Sequence, residues 1–277
     1  MNVTYKRWAG LGLGAALATT TALTACSPTE PESAPETAVA PAVPAPAPVE
    51  SAEPAPVSGE GEGGVPIEEA VHDPVVYGTA IAVAKAHVLA ARDAFAEGEH
   101  EAAAEMFAHP VSEVLADMAP VFEARGVEDF NMLLINASGA VYEGETADEI
   151  AARTDEILAT LEAANDKAPD DGSTPAEIAT GVVADMIDRA TAMYRMASES
   201  EYYEPYLDGY GFYETAKLEF EAAEAEIEAA NADGAAAIRE ALALLGAAYP
   251  TALRPEVLDA DQSALTVAAS NVALTTS

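Results

Sequence analysis

The stretch PVVYGTAIAVAKAHVLAARDAFAE, from Pro74 to Glu97, decides the fold class. Ile81, Val88 and Phe95 recur every seven residues, alanines fill most of the space between them, and Pro74 and Gly98 bracket the run. This is the period of a helix with one apolar face, with a start signal before it and a stop signal after it.

The same pattern continues outward. A second helix is expected from about Glu99 to Gly126, interrupted at Pro110 and Pro120, and a third from Val127 to Tyr142, stopped by Gly144. A fourth runs from Thr146 to Lys167 with Ile150, Ile157 and Leu161 on one side. The cluster Pro169-Asp170-Asp171-Gly172-Ser173 is a turn and the natural midpoint of the domain. Thr174-Pro175-Ala176-Glu177 then opens a fifth helix: a capping Thr, Pro at the first helical position and Glu at the third. It is expected to reach Ser200. A sixth spans Tyr206 to Ala232, loosened at Gly209 and Gly211; a seventh spans Gly234 to Ala248; a last one follows Pro255. The prediction is an all-α protein, an antiparallel helical bundle of seven or eight helices over residues 67–277. Its halves, four helices each, would meet near 169–173.

Composition agrees and excludes much else. The 277 residues hold 12 Lys+Arg against 48 Asp+Glu, a formal net charge of −36, which rules out a basic phosphate-neutralising face and hence nucleic acid as a partner. A single Cys rules out an internal disulfide and any cysteine-cluster metal site. Catalytic signatures such as His-Glu-x-x-His, Gly-x-Ser-x-Gly or a phosphate-binding Gly-rich loop are absent, so the chain is not expected to be an enzyme.

The first 26 residues read as an address. Lys6 and Arg7 precede an uncharged run from Trp8 to Ala25, ending in Leu23-Thr24-Ala25-Cys26. This resembles the lipobox of bacterial lipoproteins, in which the Cys becomes the acylated first residue of the mature chain. The resemblance implies a signal peptide over 1–25 and a bilayer as partner through acylated Cys26. It also implies a periplasm-facing place in the cell envelope, at the outer membrane because Ser27 rather than Asp follows. Without Lys6 and Arg7 the mature charge becomes −38, so the folded part should stand off an anionic surface. Residues 26–66 supply a tether: positions 27–66 hold ten of the 18 Pro, seven Glu and no Lys or Arg, a composition that cannot bury enough apolar surface to fold.

Two clusters could carry chemistry. In Met106-Phe107-Ala108-His109-Pro110-Val111-Ser112-Glu113 the side chains of Met106, His109 and Glu113 share a helical face, and His109 and Glu113 stand four apart. His87 sits on the preceding helix among small residues. It lies eleven residues before the Gly98 turn and His109 eleven after, so a hairpin would bring the two rings to one height. Two imidazoles, a carboxylate and a thioether suit a late first-row transition metal. Met106 leans the choice toward copper; Glu113 and a tyrosine lean it toward iron. The competing reading makes His87 a core strut and His109 part of a kink. His72 and His100 should be exposed. The second cluster runs from Tyr202 to Glu214 and holds five of the ten Tyr; Tyr206, Asp208 and Tyr210 could line a pocket, or the tyrosines could form a helix–helix seam.

The run at Ala86-His87, the Met106-to-Glu113 segment and Tyr206-Leu207-Asp208-Gly209-Tyr210-Gly211-Phe212 together resemble helical periplasmic proteins of the imelysin and iron-uptake type, with similar domains preceding some bacterial iron permeases. The resemblance implies a helical bundle that binds a metal ion, often iron, near a membrane transporter. The imelysin motif Gly-x-His-x-x-Glu does not occur here, so only His87, His109 and Glu113 carry over. The expected function is a tethered lipoprotein that binds iron or copper for uptake or handling, with a membrane transporter or envelope protein as partner. The alternatives are an interaction protein of the envelope without a metal site, and a carrier of a small hydrophobic ligand.

Overall fold

Asp73 opens the helix around which the molecule is built. In the computed structural model, which describes residues 64–276, its carboxylate accepts hydrogen bonds from the backbone N–H of Val75 and Val76 at 2.8 and 3.2 Å. Pro74 takes the first helical position, where its missing N–H costs nothing. The expected signal peptide, Cys26 and the expected tether up to residue 63 lie outside the described residues.

After a single turn, α1 (Ile67–Ala70), the chain forms α2 (Pro74–Ala96), α3 (His100–Pro110), a π-helical turn (Val111–Leu115) and α4 (Ala116–Arg125). Then come α5 (Asn131–Glu143), α6 (Ala147–Asn165), α7 (Pro175–Glu199), α8 (Glu204–Ala230), α9 (Ala232–Ala248) and α10 (Gln262–Thr276). With α3, the π turn and α4 read as one rod, the described residues give eight long helices and no strand, an all-α bundle.

The central helix α2 is buried around nearly its whole circumference, because α3 and α6 pack on it from the first half and α7 and α8 from the second. It is long and apolar enough to cross a membrane, yet most of it is buried within the protein, as befits a core helix. The apolar core therefore runs without a break from Val65 to Val272, and the two four-helix groups share it. Val65 is itself fully buried, and Arg189 on α7 donates to the Gly64 carbonyl at 2.8 Å, so the packed core includes residues just before the expected boundary at 67.

Where boundaries differ from expectation, capping explains the shift. α5 starts at Asn131 rather than Val127 because the Asp129 carboxylate accepts from the Asn131 N–H (2.9 Å), a local turn that competes with helix. α9 starts at Ala232 because Asn231 caps it, accepting from the Gly234 N–H at 2.9 Å and donating to the Thr275 carbonyl at 2.7 Å. α10 starts at Gln262 under an Asp261 cap. Pro120 does not interrupt α4; it lies on the exposed side of the helix. At Pro110 the interruption takes the form of the π turn, which inserts a residue without ending the rod. α8 is not loosened at Gly209 or Gly211; both are sites of close approach. The midpoint turn forms as read, with Asp170 and Asp171 accepting from Gly172 and Ser173, and Thr174 with Glu177 completing a reciprocal capping box.

Candidate metal centre

His87 is buried, only 4% exposed. Its Nδ1 lies 2.8 Å from the Val83 carbonyl, one turn back. A carbonyl only accepts, so Nδ1 carries a proton and Nε2 is aimed inward. There it meets Glu113 Oε2 at 3.2 Å and Asp208 Oδ1 at 3.6 Å.

His109 comes from the last turn of α3. Its Nδ1 stands 3.6 Å from Glu113 Oε1, and its Nε2 points outward, 3.9 Å from Glu204 Oε1. The two imidazoles meet edge to face with centroids 5.8 Å apart. The Gly98 hairpin thus brings both rings to one level, as equal counts from the turn require. The π turn places Glu113 between them, one oxygen toward each ring.

Asp208 arrives from α8. Gly211, one turn further on, lies so close to α2 that a Cβ there would overlap the Ala86 carbonyl oxygen. This close crossing brings the carboxylate against His87, while Phe212 walls the ring edge-on at 5.9 Å. Asp208 Oδ1 and His109 Nδ1 are both buried without a hydrogen-bond partner. One ligand atom each of His87, His109 and Asp208 lies within 4.8 Å of the others. Glu113 stands beside this three-residue group and touches each ring with a different oxygen, Oε2 at 3.2 Å from His87 Nε2 and Oε1 at 3.6 Å from His109 Nδ1.

The electrostatics show what holds the cluster without an ion. Burial alone would depress the His87 pKa, but the hydrogen bond to Glu113 and the charges of Asp208 and Glu113 outweigh it and raise it. Burial likewise pushes Glu113 up, and the bond and charge of His87, with His109, bring it below the ordinary value. Asp208 is pushed up to about 6 by burial, with Glu113 adding to the rise and the two histidines opposing it. The His87 ring stands between the two carboxylates, 3.2 Å from Glu113 and 3.6 Å from Asp208, so its protonated form would put a positive charge where a cation could sit.

Of the residues singled out in the sequence, His87, His109 and Glu113 converge. Asp208 joins them rather than a tyrosine-lined pocket; the sequence signal was its place one turn after Glu204 and one turn before Gly211 on the same helix. Met106 packs in the apolar core, and the converging atoms are nitrogen and oxygen. The tyrosines form a seam: Tyr206 donates to the Thr251 carbonyl and Tyr210 to Asp93, each at 2.9 Å. His72 and His100 are exposed, and His100 stacks on Phe95 at 4.4 Å. No protein-family model, curated protein or solved structure matches the chain.

Proposed function

We propose that the chain is an acidic, lipid-anchored protein of the bacterial cell envelope that binds one late first-row transition-metal ion as cargo. The ligands are His87 Nε2, His109 Nδ1, Asp208 Oδ1 and Glu113. The observation that carries this reading is the pair of buried, unpartnered atoms, Asp208 Oδ1 and His109 Nδ1, on two residues that with His87 offer ligand atoms within 4.8 Å of one another. Leaving a buried polar atom unmade costs about 1–3 kcal/mol, more for a charged one, so two in one cluster argue for a ligand that pairs them.

The donor set favours iron(II) over copper(I). Two imidazoles with two carboxylates are an N/O environment, and a soft sulfur is not among the converging atoms. The negative charge of the chain raises the local concentration of cations around the mouth formed by Glu113 and Glu204. Acylation of Cys26 would hold the protein beside a membrane transporter or envelope protein that receives the ion.

The test is anaerobic calorimetry of the metal-free chain with Fe(II), and parallel titration with Cu(I). One Fe(II) per chain is expected, with binding lost in His87→Ala and His109→Ala. Unchanged affinity in both variants defeats the reading.

A second reading has one specific observation behind it. Met132, Ile135 and Tyr142 are exposed along α5, and no charged residue falls between Asn131 and Tyr142. Such a face suits an interaction protein of the envelope. The same alanine variants would then lower the melting temperature without changing metal content.

A further inference from the structure

We infer that Glu204 is a positioning residue: it orients His109 for the ion from outside the ligand set. This rests on the metal-binding reading. A ligating histidine needs its second ring nitrogen fixed, because the partner of that N–H sets both the tautomer and the basicity of the donor. His87 meets this need with the Val83 carbonyl on its Nδ1 side. His109 faces the opposite way: its Nδ1 is the buried, unpartnered atom, and its Nε2 is turned to Glu204. Around the centre the two rings thus present opposite nitrogens, each with an acceptor behind it, a carbonyl in one case and a carboxylate in the other.

Glu204 is placed for this and for little else. It is the first residue of α8, four before Asp208, so both carboxylates leave the helix on one side. Asp208 reaches inward and is largely buried, whereas the Glu204 side chain is 59% exposed. The 3.9 Å gap to Nε2 is about 1 Å longer than a hydrogen bond, a distance that an exposed side chain closes by turning about its own bonds.

The test is Co(II) titration of the full chain, followed by visible absorption, in wild type, Glu204→Gln, Glu204→Asp and the neighbouring control Glu201→Gln. Glu204→Gln should weaken Co(II) binding about 10–100-fold at unchanged stoichiometry. Glu204→Asp should recover part of the loss, and Glu201→Gln should change affinity by less than about threefold, an effect removed by salt. In the metal-free chain, the His109 imidazole nitrogen resonances should move in Glu204→Gln while those of His87 stay. Equal, salt-erased losses in Glu204→Gln and Glu201→Gln would reduce Glu204 to a diffuse charge and overturn the inference. Two Co(II) per wild-type chain falling to one in Glu204→Gln would make it a ligand, and overturn it too. Wild-type chain that takes up no Co(II) removes the centre itself, a result distinct from a wild type that binds and a variant that binds equally well.

Discussion

Gly211 of α8 rests against the backbone carbonyl of Ala86 on α2, with no room for a side chain between them. Ala86 precedes His87, and Gly211 stands one turn beyond Asp208, so this contact sets how near the carboxylate comes to the imidazole. Gly211→Ala is therefore expected to destabilise the protein by about 1–3 kcal/mol through overpacking and to weaken metal binding together with it. Gly139, an exposed helical glycine of α5 with open space within 4 Å of where a Cβ would stand, is the control. Gly139→Ala should stabilise by roughly 0.5–1 kcal/mol and leave binding unchanged. Urea unfolding and metal titration of both variants check this.

Asp208 is held in a place that does not suit an isolated carboxylate. A pKa raised from 3.8 to about 6 corresponds to a penalty on the order of 3 kcal/mol for keeping it ionised at neutral pH. Asp208→Asn removes that penalty. The metal-free variant is expected to be more stable than wild type by about 1–3 kcal/mol and to lose most of its metal affinity. A destabilised Asn variant would mean that Asp208 serves the fold rather than an ion.

The pH dependence follows from the same groups. Asp208 is raised, so the folded chain keeps a proton that the unfolded chain has released, and stability falls as pH climbs from 3.8 to about 6. His87 is also raised, so its stabilising contribution is complete below about 6.5 and is lost as pH rises through its folded value. Glu113 is lowered and contributes above about 4.5, losing its effect only as pH falls through its folded value. Above the pI of about 4.1, the metal-free wild type should thus lose stability relative to Asp208→Asn up to about pH 6, and the gap should widen again as His87, whose raised pKa owes part of its rise to Asp208, gives up its proton. With metal bound the slope reverses, because the ion competes with the protons on these ligands and binds more tightly as they leave. Thermal melts across pH 5–8 with and without Co(II), on wild type and Asp208→Asn, read both slopes.

What could be read from sequence was what depends on neighbours along the chain. Thr174, Pro175 and Glu177 announce a helix start because capping is settled within one turn, and the structure forms the full reciprocal box. His87 and His109 could be matched in height because a hairpin turns at Gly98 and rise per residue is fixed. Asp208 could not be placed in the same way. It enters the centre from 95 or more residues further along the chain, at a crossing governed by Gly211 against Ala86, and no period in α8 encodes the angle of α2. The stripe Ile81, Val88, Phe95 correctly marked a helix but understated its burial, since α7 and α8 cover the side that the heptads leave open. The π turn was hidden for another reason: Pro110 signals a break, yet one inserted residue keeps Val114, Leu115 and Met118 buried and lets the rod continue.

The tyrosine seam gives a prediction that separates a structural role of the phenols from a place in the centre. Tyr206 and Tyr210 are buried and their hydroxyls are engaged, with Thr251 and with Asp93, the latter also bonded by Arg92. Tyr206→Phe and Tyr210→Phe should each cost about 1 kcal/mol of stability and leave the metal affinity unaltered. Equilibrium unfolding and calorimetry on the same samples decide it; a change in binding with unchanged stability would place the phenols in the centre after all.

The π turn can be removed without disturbing the rest of the rod, because it holds one residue more than an α-helical turn. Ser112 is exposed, so its deletion loses no core side chain. Deleting it should let α3 run straight into α4, with Leu115, Met118 and Phe122 still facing the core and a melting temperature within a few degrees of wild type. Deleting Asp117 instead, an exposed residue of α4 beyond the turn, rotates Met118, Val121 and Phe122 by about 100° away from the core and should unfold the domain. The Ser112 deletion also draws Glu113 about 1.5 Å toward His109 along the axis, beyond the roughly 0.5 Å that a preorganised site tolerates. Metal affinity should therefore drop by tenfold or more in a protein that remains folded, as circular dichroism and Co(II) titration would show. A folded deletion variant with wild-type affinity would mean that the extra residue has no part in placing the carboxylate between the two rings.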